Sequence, residues 1–337
     1  MPPSESRPIT VWGVSDGRSG IEAQVRSLGE TLITVAGAQG GTVSLDLKRI
    51  QFRRLFDRLP TLFKLWPEPF LSQRSDSFTP PWPDILIACG RASLALSLTM
   101  KLRSGGKTFV VQLQDPRWPT GLFDVVVAPT HDRLSGPNVL TTLGAPQSVT
   151  PDKLNAAVKA FADRLAPLPR PHIAVLIGGK SKAFDLPDYQ ARVLAEEIAE
   201  AVQSSGGSLL LTFSRRTPAP ARRVLQAALD GLPGWIWNDH GPNPYHAFLG
   251  TADHILLTED STNMATEAAA TGKPVHILSL VGHSKKHSRL HADLAARGIS
   301  RPLRLPLQTW TYTPLSETER VAQDVLERYS AWKARKG

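Results

Sequence analysis

Pro167-Leu-Pro-Arg-Pro-His-Ile-Ala-Val-Leu-Ile-Gly-Gly-Lys-Ser-Lys182 is where the chain starts its pattern over. The three prolines at 167, 169 and 171 fix φ and carry no N–H, which suits a connector between domains. The next six residues, 172–177, are an apolar, β-branched run. Two glycines and a cationic, hydroxyl-bearing loop follow at once, the opening of a strand–turn–helix unit.

Outward from there the same alternation repeats on both sides. Downstream, strands are expected at 172–177, 208–213, 235–237, 254–258 and 274–277, with helices at 189–203, 219–229, 245–251 and 263–271 between them. Upstream, strands are expected at 9–14, 84–89, 108–113 and 124–129, with helices at 21–33 and 92–103, and a helix at 151–165 leads into the connector. Apolar runs alternating with helical periodicity mean a mostly parallel sheet covered by helices. The expected fold is therefore α/β, with two Rossmann-like doubly wound domains, residues 1–166 and 167–315. A last helix, 316–337, has no strand to follow it and is expected to cross back over existing surface. Ser316 with Glu319 three residues on reads as its capping box, and Val321, Val325, Leu326 and Tyr329 fall on one face.

At 337 residues the chain exceeds the ~250 to 300 over which a single core keeps growing, which agrees with two domains. With 41% hydrophobic and 20% charged residues the composition is that of a globular protein. No run approaches the ~20 apolar residues of a spanning helix, and residues 1–8 lack the layout of a signal peptide. A cytoplasmic protein, peripheral on the inner membrane face, is expected. Cys89 is the only cysteine, so neither an intrachain disulfide nor a multi-cysteine metal site can form. The net charge of +9 calls for an anionic partner. Recognition-helix, RNP-like and zinc-finger patterns are all absent from the sequence, so nucleic acid is not the expected one.

The anion-binding signals concentrate in the second half. Gly178 and Gly179 permit close backbone approach to an anion, and Lys180, Ser181 and Lys182 add donors. The alternative is a turn that only needs glycine. Ser214-Arg-Arg-Thr217, with Ser214 and Arg215 foremost, follows the next strand at the same sheet edge, where open α/β sheets bind ligands. Solvated surface charge would explain that loop equally well. The most informative run is Thr258-Glu-Asp-Ser-Thr-Asn-Met-Ala-Thr-Glu-Ala-Ala-Ala-Thr-Gly-Lys-Pro274. Glu259, Asp260, Ser261 and Asn263 stand where a strand passes into a helix whose N-terminus suits phosphate. Glu267, two turns from Asp260, could take the two ribose hydroxyls. Plain capping by Asp260 or Ser261 is the simpler alternative. His283, His287 and His291 repeat every four residues, but three basic neighbours make a phosphate-facing or solvated segment the expectation over a metal stripe. The sequence contains no Asp-x-Asp pair, so nucleotide chemistry without a metal, and without any cofactor beyond the sugar nucleotide as substrate, is expected.

In the first half, Gly13-Val-Ser-Asp-Gly-Arg-Ser-Gly20 puts Asp16 at the carboxyl edge of the sheet, where it is the candidate general base. An Asx-type turn is the competing reading. Residues 47–66 hold six basic side chains against one acid, interleaved with bulky apolar ones. Arg53, Arg54, Phe56, Phe63 and Trp66 are the expected contacts to an anionic membrane surface. A core-packing segment with a solvated basic face would read the same way.

The domain pair, the proline-bearing connector and the crossing helix resemble the GT-B glycosyltransferase architecture. The loop at 178–182 resembles the diphosphate loop of the lipid II N-acetylglucosaminyltransferase. The 261–274 run is similar to the nucleotide helix of that enzyme and of heptosyltransferases, which implies that Glu267 binds ribose. More closely, the chain resembles the plant mitochondrial-fission (Elm-type) family and its bacterial relatives. The matching segments are Ser15-Asp-Gly-Arg-Ser-Gly-Ile-Glu-Ala-Gln24, Gly90-Arg91, Val111-Gln-Leu-Gln-Asp-Pro-Arg-Trp-Pro119, Phe123-Asp-Val-Val-Val-Ala-Pro-Thr-His-Asp132, Asn243-Pro-Tyr245 and 258–275. Ile21 stands where that family's first loop carries a histidine. The resemblance implies a GT-B-like fold and membrane association.

Two functions are expected from these readings: a metal-independent glycosyltransferase moving a sugar from a nucleotide diphosphate to a membrane lipid, or a non-catalytic membrane adaptor that keeps the shell. A nucleotide-sugar epimerase is disfavoured for want of a full dinucleotide fingerprint, and because only Tyr329 begins a Tyr-x-x-x-Lys pair.

Overall fold

The computed structural model describes residues 7–57, 59–60, 65 and 67–336. They divide into two compact units, one of residues 1–148 with 316–337 and the other of residues 149–315.

The first unit is built on six strands: β1 (Ile9–Ser15), β2 (Val43–Arg49), β3 (Ile85–Cys89), β4 (Phe109–Leu113), β5 (Val125–Pro129) and β6 (Val139–Thr142). Helices α1 (Ser19–Ala38), the short α2 (Arg54–Asp57) and α3 (Arg91–Arg103) connect them. The order is β2-β1-β3-β4-β5-β6, parallel throughout. Every residue of β3, β4 and β5 is buried, as a parallel sheet covered on both faces requires. One face packs Leu28 and Leu32 of α1, and the other packs Leu96 and Met100 of α3.

The second unit opens with α4 (Pro151–Ala160) and α5 (Ala162–Leu165), then runs β7 (His172–Ile177), β8 (Phe184–Asp185), α6 (Asp188–Ser205), β9 (Ser208–Phe213), α7 (Ala219–Leu229), β10 (Gly234–Ile236), α8 (Tyr245–Thr251), β11 (His254–Thr258), α9 (Thr262–Ala269), β12 (Val275–Leu278), β13 (Val281–Gly282), α10 (Lys285–Ala296) and β14 (Ser300–Pro302). Its parallel sheet has the order β10-β9-β7-β11-β12-β14, with β8 and β13 as a small antiparallel pair aside. The expected boundary at 166 shifts to between Ser148 and Val149. The cause is α4, which lies against α8 so closely that a Cβ on Gly250 would stand 2.8 Å from Val158 and 3.1 Å from the Leu154 carbonyl.

The last helix, α11 (Glu317–Ala334), belongs to the first unit. Val321, Val325, Leu326 and Tyr329 are buried there with the α1 core, and Phe109 meets Tyr329 and Trp332 edge-on at 5.8 and 5.5 Å. The expected capping box does not form, because Ser316 makes no side-chain cap. Thr318 anchors the start of the helix instead, exchanging hydrogen bonds of 2.9 Å with both backbone groups of Gln147.

Candidate functional site

In each sheet the chain leaves its first strand in one direction and later returns to fill the other side. That reversal falls between β1 and β3 in the first unit and between β7 and β11 in the second. Crevices at such switch points, outside the carboxyl ends of the strands, are where open α/β sheets take ligands. Both switch points here hold an aspartate locked by an arginine.

In the second unit that aspartate is Asp260, whose side chain is wholly buried. It accepts hydrogen bonds from the Gly179 N–H at 3.1 Å and the Thr258 hydroxyl at 2.8 Å, and pairs with Arg216 at 2.7 Å. Thr258 in turn accepts from the Gly178 N–H at 2.7 Å, while Thr217 donates to the Gly178 and Ile177 carbonyls. The loops after β7, β9 and β11 are thereby tied into one network. The glycines are dictated by this closeness. A Cβ on Gly178 would lie 2.0 Å from the Asp260 carboxylate, and one on Gly179 would lie 2.5 Å from the Arg216 carbonyl.

This geometry corrects the sequence reading of the glycine loop. All four backbone donors from Gly178 to Ser181 are spent inside the protein, the last two on the carbonyls of Arg216 and Phe184. The Ser181 hydroxyl accepts from the Ala183 and Phe184 N–H groups, and Lys180 stands 3.8 Å from Asp185. The loop is a clasp over Asp260 rather than a cradle of free N–H groups. Ser214 is likewise structural, accepting from the Arg216 N–H, and Glu259 accepts from the Leu280 N–H. Ser261 caps α9 by accepting from Met264, as its simpler reading had it, and Asn263 sits in the first turn. Arg215 is exposed at this edge, whereas Arg216, not singled out in the sequence, carries the ion pair.

Glu267 lies on α9 and is partly buried, and its carboxylate accepts the Tyr245 hydroxyl proton at 2.5 Å. Burial pushes the Glu267 carboxyl up to about 7, with the Tyr245 hydrogen bond acting in the opposite sense. The same burial, together with the neighbouring carboxylate, raises the phenol well above its ordinary value. Tyr245 comes from the Asn243-Pro-Tyr245 segment, and Asn243 accepts from the Tyr245 N–H at 2.9 Å. Two stretches that stand apart in sequence thus meet at one proton.

Of the three repeating histidines, His283 is exposed ahead of α10, while His287 and His291 lie on that helix. His287 bonds the Ser284 hydroxyl at 2.9 Å, and His291 bonds the Glu259 carbonyl at 2.8 Å, which fastens α10 to the same edge. Among the described residues no three His, Cys, Asp or Glu side chains are grouped to hold a metal ion.

In the first unit Asp16 follows β1 and lines a cavity of about 480 Å³ with Arg18, Gln51, Phe52 and Arg91. Its carboxylate accepts from the Arg18 N–H at 3.1 Å and from the guanidinium at 2.8 and 2.6 Å. It also lies 3.3 Å from where a Cβ on Gly90 would be. The Asx-type turn read as its alternative is present, and the guanidinium holds the carboxylate that a base would need free.

The described part of the basic segment at 47–66 is divided between β2, α2 and the loop joining them. Lys48 and Arg49 belong to β2, where Lys48 pairs with Asp46 and Arg49 with Glu22. Arg53 and Arg54 are exposed, with Leu55 between Arg54 and Phe56 at 80% exposure. Phe56 turns inward, its ring 4.6 Å from that of Phe70. Phe63 and Trp66 lie outside the described residues. Among the described residues no helix is long and apolar enough to cross a membrane.

Two six-stranded parallel Rossmann-like units with a C-terminal helix returning to the first define a protein of the GT-B structural class. The chain belongs to the mitochondrial fission ELM1 family, whose model matches residues 19–329. It is 29% identical over 276 residues to the mitochondrial fission protein ELM1 of Arabidopsis thaliana, covering 74% of this chain and 64% of that protein. The chain thus spans less than two thirds of that relative's length. It is 24% identical over 94% of its length to the uncharacterized protein RP120 of Rickettsia prowazekii, and covers 97% of it. Among solved structures it is similar to a putative UDP-N-acetylglucosamine 2-epimerase of Listeria monocytogenes, with a TM-score of 0.54, 13% identity, and 95% and 88% of the two chains covered. It is also similar to the UDP-GlcNAc 2-epimerase of Methanocaldococcus jannaschii, with a TM-score of 0.52, 14% identity, and 94% and 99% covered. At these identities the likeness is one of fold.

Proposed function

We propose that the second unit binds a nucleotide diphosphate sugar at its β7/β11 switch point, and that the protein acts as a metal-independent transferase toward a membrane-lipid acceptor. The observation that carries this is the convergence of the loops after β7, β9 and β11 on the start of α9, joined through Asp260. In this reading the diphosphate lies against the N-terminus of α9 and the side chains of Lys180, Lys182 and Arg215, since the clasp leaves no free backbone donors in the glycine loop. Glu267 exchanges the Tyr245 proton for ribose hydroxyls. The structure of the M. jannaschii epimerase is of a complex with UDP-GlcNAc and UDP, which supports testing uridine nucleotides first. Asp16 serves as general base only if Arg18 swings away, so Arg18→Ala and Asp16→Asn separate its roles: turnover is lost in the second alone if the carboxylate is catalytic.

Calorimetry with UDP, GDP, ADP and CMP sugars tests the reading directly, and heat from none of them would overturn it. For the nucleotide that does bind, Arg215→Gln is expected to weaken binding about tenfold, the worth of one charge-assisted hydrogen bond.

The non-catalytic adaptor reading is favoured by one observation, the exposed Arg53-Arg54-Leu55 corner of the first unit. Leu55 would enter the headgroup region while the two guanidiniums meet anionic lipid. Flotation with phosphatidylserine vesicles is expected to fall severalfold in Leu55→Asp and in Arg53→Glu with Arg54→Glu. Equal flotation of all three proteins would remove the corner from consideration.

A further inference from the structure

The second unit carries another recess, at its β14 edge and apart from the switch point. It has a volume of about 290 Å³ and is lined by His276, Arg301, Pro302, Arg304, Gln308 and Trp310. None of the residues from 178 to 181, 214 to 217 or 258 to 267 contributes to it.

Its chemistry is one-sided: two arginines and an indole face a space with no acid in its lining. Arg301 pairs in register with His276 across β12 and β14, which puts it beside that histidine. Its guanidinium lies 4.3 Å over the Trp310 ring and donates to Gln308 at 3.0 Å. Stacking and that one bond hold the fork in place, and no other acceptor for it is found among the described residues. Arg304 makes no ion pair among the described residues.

His276 is buried, bonded through Nε2 to the His254 Nδ1 at 3.3 Å, with Trp310 edge-on at 5.0 Å. Burial, the neighbouring His254 and Arg301 lower it to about 4, so it is neutral near pH 7 and adds no competing charge. The Trp310 indole N–H is buried and finds no acceptor among the described residues.

We propose that this recess is a second ligand site, for a small anion whose carboxylate or phosphate groups accept from the Arg301 and Arg304 guanidiniums beside the Trp310 ring. The volume, roughly ten waters' worth, admits a molecule larger than a lone oxyanion and smaller than a nucleotide sugar.

Titration of the full chain with citrate and, separately, inorganic pyrophosphate tests this by calorimetry and by the indole N–H resonances in ¹⁵N NMR. Trp310→Phe identifies the resonance of Trp310 and is itself expected to melt no lower than the parent, since it removes the unpartnered donor while keeping the ring. The expected result is a saturable shift of that resonance with at least one of the two anions. Binding is expected to weaken about tenfold in Arg304→Gln and in Arg301→Gln, and to be unchanged in Arg215→Gln. Preference for citrate or for pyrophosphate decides between a carboxylate and a phosphate ligand. No movement of the Trp310 resonance with either anion, or binding lost in Arg215→Gln but kept in Arg301→Gln and Arg304→Gln, overturns the proposal; the second result would leave the switch-point reading standing.

Discussion

Asp260→Ala is expected to be the most destabilising single substitution at the candidate site, lowering the unfolding free energy by about 3 kcal/mol or more. The carboxylate is wholly buried and carries three partners at once. Its removal leaves the Gly179 N–H and the Thr258 hydroxyl without their acceptor, and strips Arg216 of its counter-charge. Arg216 is 40% exposed, so its guanidinium can turn to water, and that part of the loss is small. The buried backbone donor has no such escape. Asp260→Asn should lose less, because an amide oxygen can still accept from Gly179. Gly178→Ala should approach Asp260→Ala in cost, since its Cβ would fall 2.0 Å from the carboxylate. Urea unfolding of the three variants gives the ranking, and an Asp260→Ala loss under about 1 kcal/mol would show that the clasp is not what holds the edge together.

A clasp of this kind leaves no distinct mark in the sequence. Gly-Gly after an apolar strand is compatible with free N–H groups aimed at an anion and with N–H groups consumed by an acid from a distant loop. Which holds depends on Asp260, 81 residues from Gly179. The same limit hid Tyr245 and Arg216: each is recognisable as polar, but its partner comes from another strand's loop. The strands divide in a related way. Those in the middle of each sheet, β3, β4, β5, β7, β9 and β11, are buried on both faces and read as unbroken apolar runs. The three long-sheet strands missing from the sequence reading, β2, β6 and β14, are all edge strands. Val-Ser-Leu-Asp-Leu-Lys-Arg of β2 alternates between buried and exposed positions, and β14 is two-thirds exposed, so neither shows the continuous signal. The boundary shift has the same origin, because α4 is amphipathic and the sequence does not say which unit its Leu154 face meets.

The two arginine-locked aspartates make a common argument about reactivity. A carboxylate that accepts from a guanidinium is held in place by it. Asp16 accepts from Nε and Nη2 of Arg18, and Asp260 pairs with Nη1 of Arg216. Glu267 is in the opposite condition, raised rather than engaged by a cation, and is the carboxyl at this edge whose protonation changes near neutral pH.

Relative to Glu267→Gln, the parent should therefore lose stability as pH rises from 4.5 through 7, a contribution opposite in sign to that of the buried histidines such as His276. The folded protein holds the Glu267 proton up to about pH 7, whereas the ordinary value is 4.5. Between those values the folded state binds more protons than the unfolded one, so the slope of stability with pH is negative. Relative to a site with no shift, the full contribution is present below pH 4.5, and it is lost progressively up to pH 7. The span corresponds to about 3 kcal/mol at most, reduced by whatever solvent reaches this partly buried carboxyl. Tyr245→Phe should steepen the loss, since the phenol's hydrogen bond is what lowers the Glu267 carboxyl. Urea midpoints for the parent, Glu267→Gln and Tyr245→Phe from pH 5 to 8 measure this, and parallel curves for the parent and Glu267→Gln would contradict it. A nucleotide whose ribose needs the carboxylate gives the converse profile: its binding tightens as pH passes 7 in the parent and is flat in Glu267→Gln. Opposite slopes of stability and affinity, both removed by one substitution, would distinguish a ligand-binding carboxyl from a merely buried one.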